Sequence, residues 1–511
     1  MKHPVGFWPL LVVGLMVTAA CAQIPYPNPI NHVVIIDQEN RTVDNLFGSN
    51  SPNNQYYLPG LVFSTTGQAY TIAKKIKTVF SVQAFPVPLG SNAPDSVPAY
   101  AYDPGHGHGS WVSACDAPVK TDPSNTCAMD GFNHVEVDCN PGTKTQGCPP
   151  PYPTYAYVQY SDVVPYFQIA SQYGYANYFF QTNQGESAPA HQFIFAGTSQ
   201  PGNGPEPTWF VANDDSNNTG PGGCLASPST TAPLVNPATL DLKTKTFPCY
   251  DHDTMADVFA ASSTPITWTY YTPGQGSIWS APDAIQSICI VSGGICTGPY
   301  WTQGASNGFV NIHPPDVLND IAACHLSQVS WVIPAGSESD HPGENNGSGP
   351  SWVASIVNAI GNSACTDVVT GQTLTYWQDT VILITWDDWG GWYDHVVPPP
   401  LPANAPAIVS SSAYGFRVPL LVVSAYTPPG TVSNVMGEDF GTLLKFTEEI
   451  FNLGNIQPGG LGAFADSWSN GDLSEFFQFG QPPNTFQSIQ APLSAKVFLD
   501  PKHPIEPPDN D

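Results

Sequence analysis

A chain of 511 residues with 41% hydrophobic composition can bury a large core. Only 11% of its residues are charged, and 41 Asp and Glu stand against 13 Lys and Arg, for a net charge of −28. That balance opposes binding to nucleic acid or to an anionic membrane by charge alone. It suits an acidic habitat as well as ordinary solubility, because a chain with few cations gains little self-repulsion when its carboxylates protonate.

In chain order, Lys2 precedes an apolar run from Gly6 to Ala20 that is short for a membrane span. Ala20-Cys21-Ala22 has the small-x-small form of a cleavage site. Residues 1–22 therefore read as a signal peptide, and 23–511 as one domain, secreted or periplasmic. Lipoprotein anchoring at Cys21 is disfavoured, because Thr18 stands where an aliphatic residue is usual. No further stretch is long and apolar enough to span a bilayer. Cleavage leaves ten cysteines and no C-x-x-C, a pattern of disulfides in an exported chain. Pairing of neighbours such as Cys289 with Cys296 is the simple expectation.

Four apolar, β-branched runs predict buried strands over His32–Asp37, Val329–Pro334, Thr380–Trp386 and Val418–Ser424. Helical segments begin at Asp316, Ser351 and Asp439, the last with Gly454 as its stop. Such alternation predicts an α/β fold with a mainly parallel central sheet covered by helices on both faces. Residues 200–315, rich in Gly, Pro, Ser, Thr and Asn and holding four cysteines, read as a loop-rich, disulfide-pinned insertion. The final "PKHPIEPPDND" reads as an ordered, then frayed, terminus.

Polar groups crowd past the carboxyl ends of three predicted strands: Asp37, Glu39 and Asn40; Asp340 and His341; and Asp387, Asp388, Asp394 and His395. Open α/β sheets bind ligands at that edge. Glu39, Asn40, Asp387 and Asp388 offer oxygen donors that suit a hard or borderline divalent cation such as Ca²⁺, Mg²⁺ or Mn²⁺. Asp and Asn in loops after strands also commonly cap helices. Asn40-Arg41-Thr42 fits the glycosylation pattern, but its place behind a buried strand argues against that use. The chain's two arginines, Arg41 and Arg417, read as clamps on carboxylates. Ser187, in "NQGESAPAHQF", lacks the G-x-S-x-G elbow, and by itself reads as a turn or cap serine. His106, His108, His191, His341 and His395 lie in Gly/Pro/Asp-rich loops, where acid–base work is plausible beside the more common structural role.

"HVVIIDQENRTVDNLFG" and "ITWDDWGGWYDHVVPPP" resemble the two signatures of the bacterial phosphoesterase family, which contains phospholipases C and acid phosphatases. "SWVIPAGSESDHPGEN" and "GFRVPLLVVSAYTPPG" are similar to further family segments, in the same order. The resemblance implies an alkaline-phosphatase-like fold and one divalent metal ion held by Glu39, Asn40, Asp387 and Asp388. It implies Ser187 as nucleophile, with Thr42 second by chemistry, and His106 and His341 on the phosphate or leaving group. Asp37 and Asp44 read as supporting groups, with Asp394 and His395 orienting the loop of Asp387. The expected substrate is a phosphate ester, with phospholipid as a variant. An adjacent His-His pair found in many family phospholipases is absent, since only His252 and His313 fall in that region. The segment after "ADSWSNGDLSEFF" is also short for an added C-terminal module. The first point leaves the substrate class open and the second favours a phosphatase or a minimal phospholipase, so an acid phosphatase is the first reading and phospholipase C the alternative. A two-carboxylate glycosidase fits poorly, because Asp387 and Asp388 are adjacent. A non-catalytic binding protein that kept the fold is the third reading.

Overall fold

The computed structural model describes residues 24–90, 102–117, 127–137, 151–214, 220–366, 373–405, 414–462 and 464–507. The predicted signal peptide, Cys139 and Cys148 lie outside them. Eight strands form the central sheet: β1 (His32–Gln38), β2 (Gly174–Ala176), β3 (Trp268–Tyr271), β4 (Gly308–Asn311), β5 (Val329–Val332), β6 (Thr380–Trp386), β7 (Leu420–Ser424) and β8 (Thr431–Ser433). Their order is β4-β3-β5-β1-β6-β7-β2-β8. The first five run parallel, and β7 is antiparallel to both its neighbours. All four predicted strands are present and adjacent, within two residues of their expected bounds. They are buried along nearly their whole length, as expected of strands covered on both faces.

The register separates the two faces. Trp331 lies opposite Ile35, whereas Trp386 lies opposite Gln38, three residues on, so the two indoles point to opposite sides. Trp386 meets Tyr166 of helix Tyr160–Gln172, with ring centroids 5.0 Å apart. Trp331 meets Phe195 of helix Ser187–Ala196 at 5.1 Å. The helices predicted near 316, 351 and 439 span Asp316–Ala323, Gly349–Gly361 and Phe440–Phe451. The last is closed by Asn452 in a left-handed conformation, φ 51°, two residues before the expected Gly454. Asn tolerates that region through its short polar side chain, so the helix needs no glycine to end.

Residues 200–315 carry two disulfides, Cys224–Cys249 and Cys289–Cys296. They also supply β3 and β4 to the sheet. Sequence reading misses these strands because each is four residues long and mixes polar with aromatic positions. Cys115 pairs with Cys127, and Cys324 is also disulfide-bonded. The terminal segment is docked as far as residue 507: His503 pairs with Glu338 at 2.7 Å, and Gly336 N–H donates to Glu506 O. Among the described residues, no helix is long and apolar enough to cross a membrane.

Candidate active site

β5, β1 and β6 are parallel neighbours, so the loops after them emerge side by side at one edge. The chain leaves β1 through Asn40, held at φ 61°, and enters the short helix Val43–Phe47. Thr42 caps that helix by accepting from Asn45 N–H at 3.1 Å and donates its hydroxyl to Tyr393 O at 2.8 Å. Its hydroxyl is therefore committed to structure. After β6, Gly390 (φ 58°) lies so close to the first loop that a Cβ there would sit 2.2 Å from Asn40 O. The Asn40 N–H donates to Asp387 Oδ1 at 3.0 Å, which locks the two acidic loops together.

Asp37, Glu39, Asn40, Asp387 and Asp388 are fully buried. Ser187, the first residue of its helix, faces this group and donates its hydroxyl to Glu39 Oε2 at 3.4 Å and Asp388 Oδ2 at 3.5 Å. His106 Nε2 lies 3.3 Å from Asn40 Nδ2 and 4.0 Å from Asp388 Oδ2. The His106 and His341 rings meet edge to face at 5.9 Å, and Trp279 stacks on His341 at 5.8 Å. His341 Nδ1 bonds Pro342 O at 2.8 Å. The seven residues singled out from sequence thus converge from five separate segments.

Sequence reasoning offers His191 only as one of several acid–base candidates, with no specific role. One helical turn after Ser187, it shares that face of the helix, and the S-x-x-x-H spacing is the signal that could have found it. Its Nδ1 lies 3.1 Å from Asp37 Oδ2 and its Nε2 3.2 Å from Glu39 Oε1. Burial disfavours its charge, but Glu39 and Asp37 outweigh that and raise its pKa well above the usual histidine value. Its Nε2 is engaged by Glu39, while its Nδ1 lies near Asp37. His191 is better read as the group that holds Glu39 than as a ligand, although Glu39, His191 and Asp387 lie close enough to share an ion.

Charge accounting at the site points to a cation. Burial raises the Asp37 carboxyl to about 7 despite His191, and burial with Asp387 nearby raises Glu39 and Asp388 well above the carboxylate range. Burial also works against a charged His106, but Asp388, Asp103 and Glu186 prevail and raise it. Neither arginine reaches these carboxylates. Arg417 sits at the start of antiparallel β7, which brings it to the same edge, and it clamps Asp394 (2.9 Å) and Asp44 (3.2 Å). His395 closes that clamp on Asp44 at 2.7 Å. Arg41 departs from the expected carboxylate clamp. Its Nε and Nη2 both donate to the backbone carbonyl of Asp340, at 2.9 and 2.6 Å, beside Trp392. The Asp340 carboxylate is taken instead by Tyr166 and Trp386. Four buried carboxylates thus face two imidazoles, and the buried Asn40 Oδ1 and Asp387 Oδ2 have no hydrogen-bond partner. The excess negative charge and orphaned oxygens fit a divalent cation bound through oxygen.

His252 packs on Phe464, and His313 pairs with Asp316, so neither supplies the pair of histidines looked for in sequence. His108 is buried, bonded to Gln184 O at 2.9 Å, and burial lowers its pKa to about 4.

A mainly parallel α/β sheet carries this buried carboxylate, serine and histidine cluster at its carboxyl edge. Residues 30–454 match the model of the Phosphoesterase family, and the chain belongs to that family. It is similar to phospholipase C A of Mycobacterium tuberculosis, 29% identical over 208 residues, 37% of this chain and 37% of that protein. It is 24% identical over 491 residues to a non-hemolytic phospholipase C of Pseudomonas aeruginosa, 89% of this chain and 58% of that protein. The chain thus spans little more than a third of the first relative and under two thirds of the second. A solved alkaline phosphatase superfamily protein from Vibrio parahaemolyticus aligns over 60% of this chain with a TM-score of 0.31 and 9% identity.

Proposed function

We infer that this protein hydrolyses phosphate esters through a covalent phosphoserine on Ser187. The observation that carries the reading is the Ser187 hydroxyl, buried between Glu39 and Asp388 with His106 and His341 alongside. A divalent cation held by Glu39, Asn40, Asp387 and Asp388 would supply charge neutralisation and lower the pKa of the serine hydroxyl. Ser187 Oγ attacks phosphorus, and its proton passes to the carboxylate it faces. The bond from phosphorus to the ester oxygen breaks, and His341 protonates the departing alcohol. Water then attacks the phosphoserine, with neutral His341 taking its proton, the P–Oγ bond breaks, and the carboxylate returns its proton to Ser187 Oγ as phosphate or a phosphomonoester is released. His106, beside Asn40 and Asp388, holds the phosphoryl oxygens. Positioning and charge neutralisation account for most of the rate in such transfers.

In the sequence, the want of a His-His pair leaves the substrate class open. In the fold, His106 and His341 lie side by side from distant segments, so that absence loses its force. Similarity to phospholipases C supports a lipid phosphodiester as the substrate class. The test compares para-nitrophenyl phosphorylcholine with para-nitrophenyl phosphate, with and without chelator, for the protein and its Ser187→Ala variant. Chelator-sensitive turnover that favours the diester and disappears in the variant is expected. Full turnover by Ser187→Ala would remove the mechanism.

A further inference from the structure

Strands Thr66–Ala73 and Ile76–Gln83 form a hairpin that is packed at its base and exposed at its tip. At the base, Ala69 and Val82 are buried with Trp389 and Tyr393. The Tyr155 hydroxyl donates to Gln68 O at 2.6 Å, and Asn133 bonds the Tyr70 backbone. Trp389 directly follows Asp388 and donates to His106 O at 3.0 Å, so the hairpin is rooted on the wall of the active site. Beyond Tyr70 and Val79 the residues are exposed, Lys77 alone being tied back to the body among the described residues, and the tip projects on the order of 13 Å.

The composition of that tip is unlike the rest of the surface. Ile72 and Ile76 are 68% and 67% exposed, and Val79 46%. Lys74, Lys75 and Lys77 supply three of the chain's eleven lysines within four positions. Lys77 is held by Asp116 and Asp130, at 2.6 and 2.8 Å. Lys74 and Lys75 make no ion pair among the described residues. They form the two-residue turn, with φ of 51° and 67°, where folding alone favours Asn-Gly. Unpartnered lysines in a turn that disfavours them, flanked by bare isoleucines, break local rules in a way that points to use rather than stability. The exposed apolar hairpin Ile290–Thr297 has no cation and carries no such signature.

We propose that this hairpin tip docks the protein on an anionic lipid bilayer, with Ile72 and Ile76 entering the headgroup boundary and Lys74 and Lys75 meeting the lipid phosphates. The complementarity is local: a protein of net charge −28 is repelled as a whole, and the tip reverses that sign where it would touch. The surface deepens the lipid phosphodiester reading and rests on it for its purpose. Two signals, apolar insertion and charge, act together as interfacial binding requires.

The test is co-sedimentation of the intact protein with vesicles of phosphatidylcholine containing about 30 mol% phosphatidylglycerol, against pure phosphatidylcholine. Binding is expected to the anionic vesicles. The double variants Ile72→Ser/Ile76→Ser and Lys74→Gln/Lys75→Gln should each weaken it at least tenfold, with soluble-substrate turnover unchanged. No binding by the unaltered protein, or equal binding by both variants, overturns the proposal. So does a change of oligomeric state on size-exclusion chromatography, which would make a second copy the occupant. If no phosphoester is hydrolysed, the preceding functional reading fails, and the vesicle measurement still decides the role of the hairpin.

Discussion

His191 spans Asp37 and Glu39 and so fixes the carboxylate that faces Ser187. Groups that orient a metal-bound carboxylate commonly matter by tenfold to a hundredfold in affinity. His191→Gln should therefore bind Mn²⁺ about tenfold or more weakly by calorimetry, in a protein that remains folded. Unchanged affinity would reduce His191 to packing. Asp388→Asn removes charge from the same buried site and should weaken Mn²⁺ at least as much. At this scale the sequence exposed the donor types and the two acidic pairs. It left His191 without a specific role, because its contacts join a helix to a strand end about 150 positions away. Arg41 was legible as a clamp, but its partner, a backbone carbonyl, has no signature in sequence.

Elements set the site by where they end. Antiparallel β7 is the reason Arg417 reaches the edge that carries the candidate site. Replacing Arg417 leaves Asp394 buried without its cation and Asp44 with His395 alone. Arg417→Ala should cost about 3–5 kcal/mol in denaturant unfolding. A loss within 1 kcal/mol would mean that the two acids share a proton readily and need no arginine. The Gly390 turn is equally exacting: Gly390→Ala combines a disfavoured φ of 58° with a contact 2.2 Å from Asn40 O. It should lower metal affinity and stability together, because the strain falls on the backbone carrying Asn40.

Across the whole molecule, acid-raised groups recur far from the site. Burial raises Asp439 to about 7, Asp283 to about 8 and Glu448 to about 10. A carboxyl whose folded pKa exceeds its unfolded value binds more protons when folded. Its stabilising contribution is complete below about pH 4 and is lost as pH rises towards the folded value. The chain should therefore unfold several degrees higher at pH 5 than at pH 8 by calorimetry, with metal present throughout. An equal or lower transition at pH 5 would contradict this. The direction agrees with the acid habitat suggested by composition, and falling self-repulsion of a net −28 chain acts the same way.

What the sequence determined by itself is local chemistry: which runs are apolar enough to be central strands, and which loops carry oxygen donors past their carboxyl ends. β1, β5, β6 and β7 and the residues after them follow from period and composition, since burial on both faces demands continuous apolar runs. Tertiary structure alone decided which distant groups meet. The parallel order β5-β1-β6 sets three loops together, and helix Ser187–Ala196 brings Ser187 and His191 to them. His106 and His341, 235 positions apart, become neighbours only then. The reason is physical: periodicity records what each residue faces, whereas pairing depends on which strands lie adjacent, and no single segment encodes that.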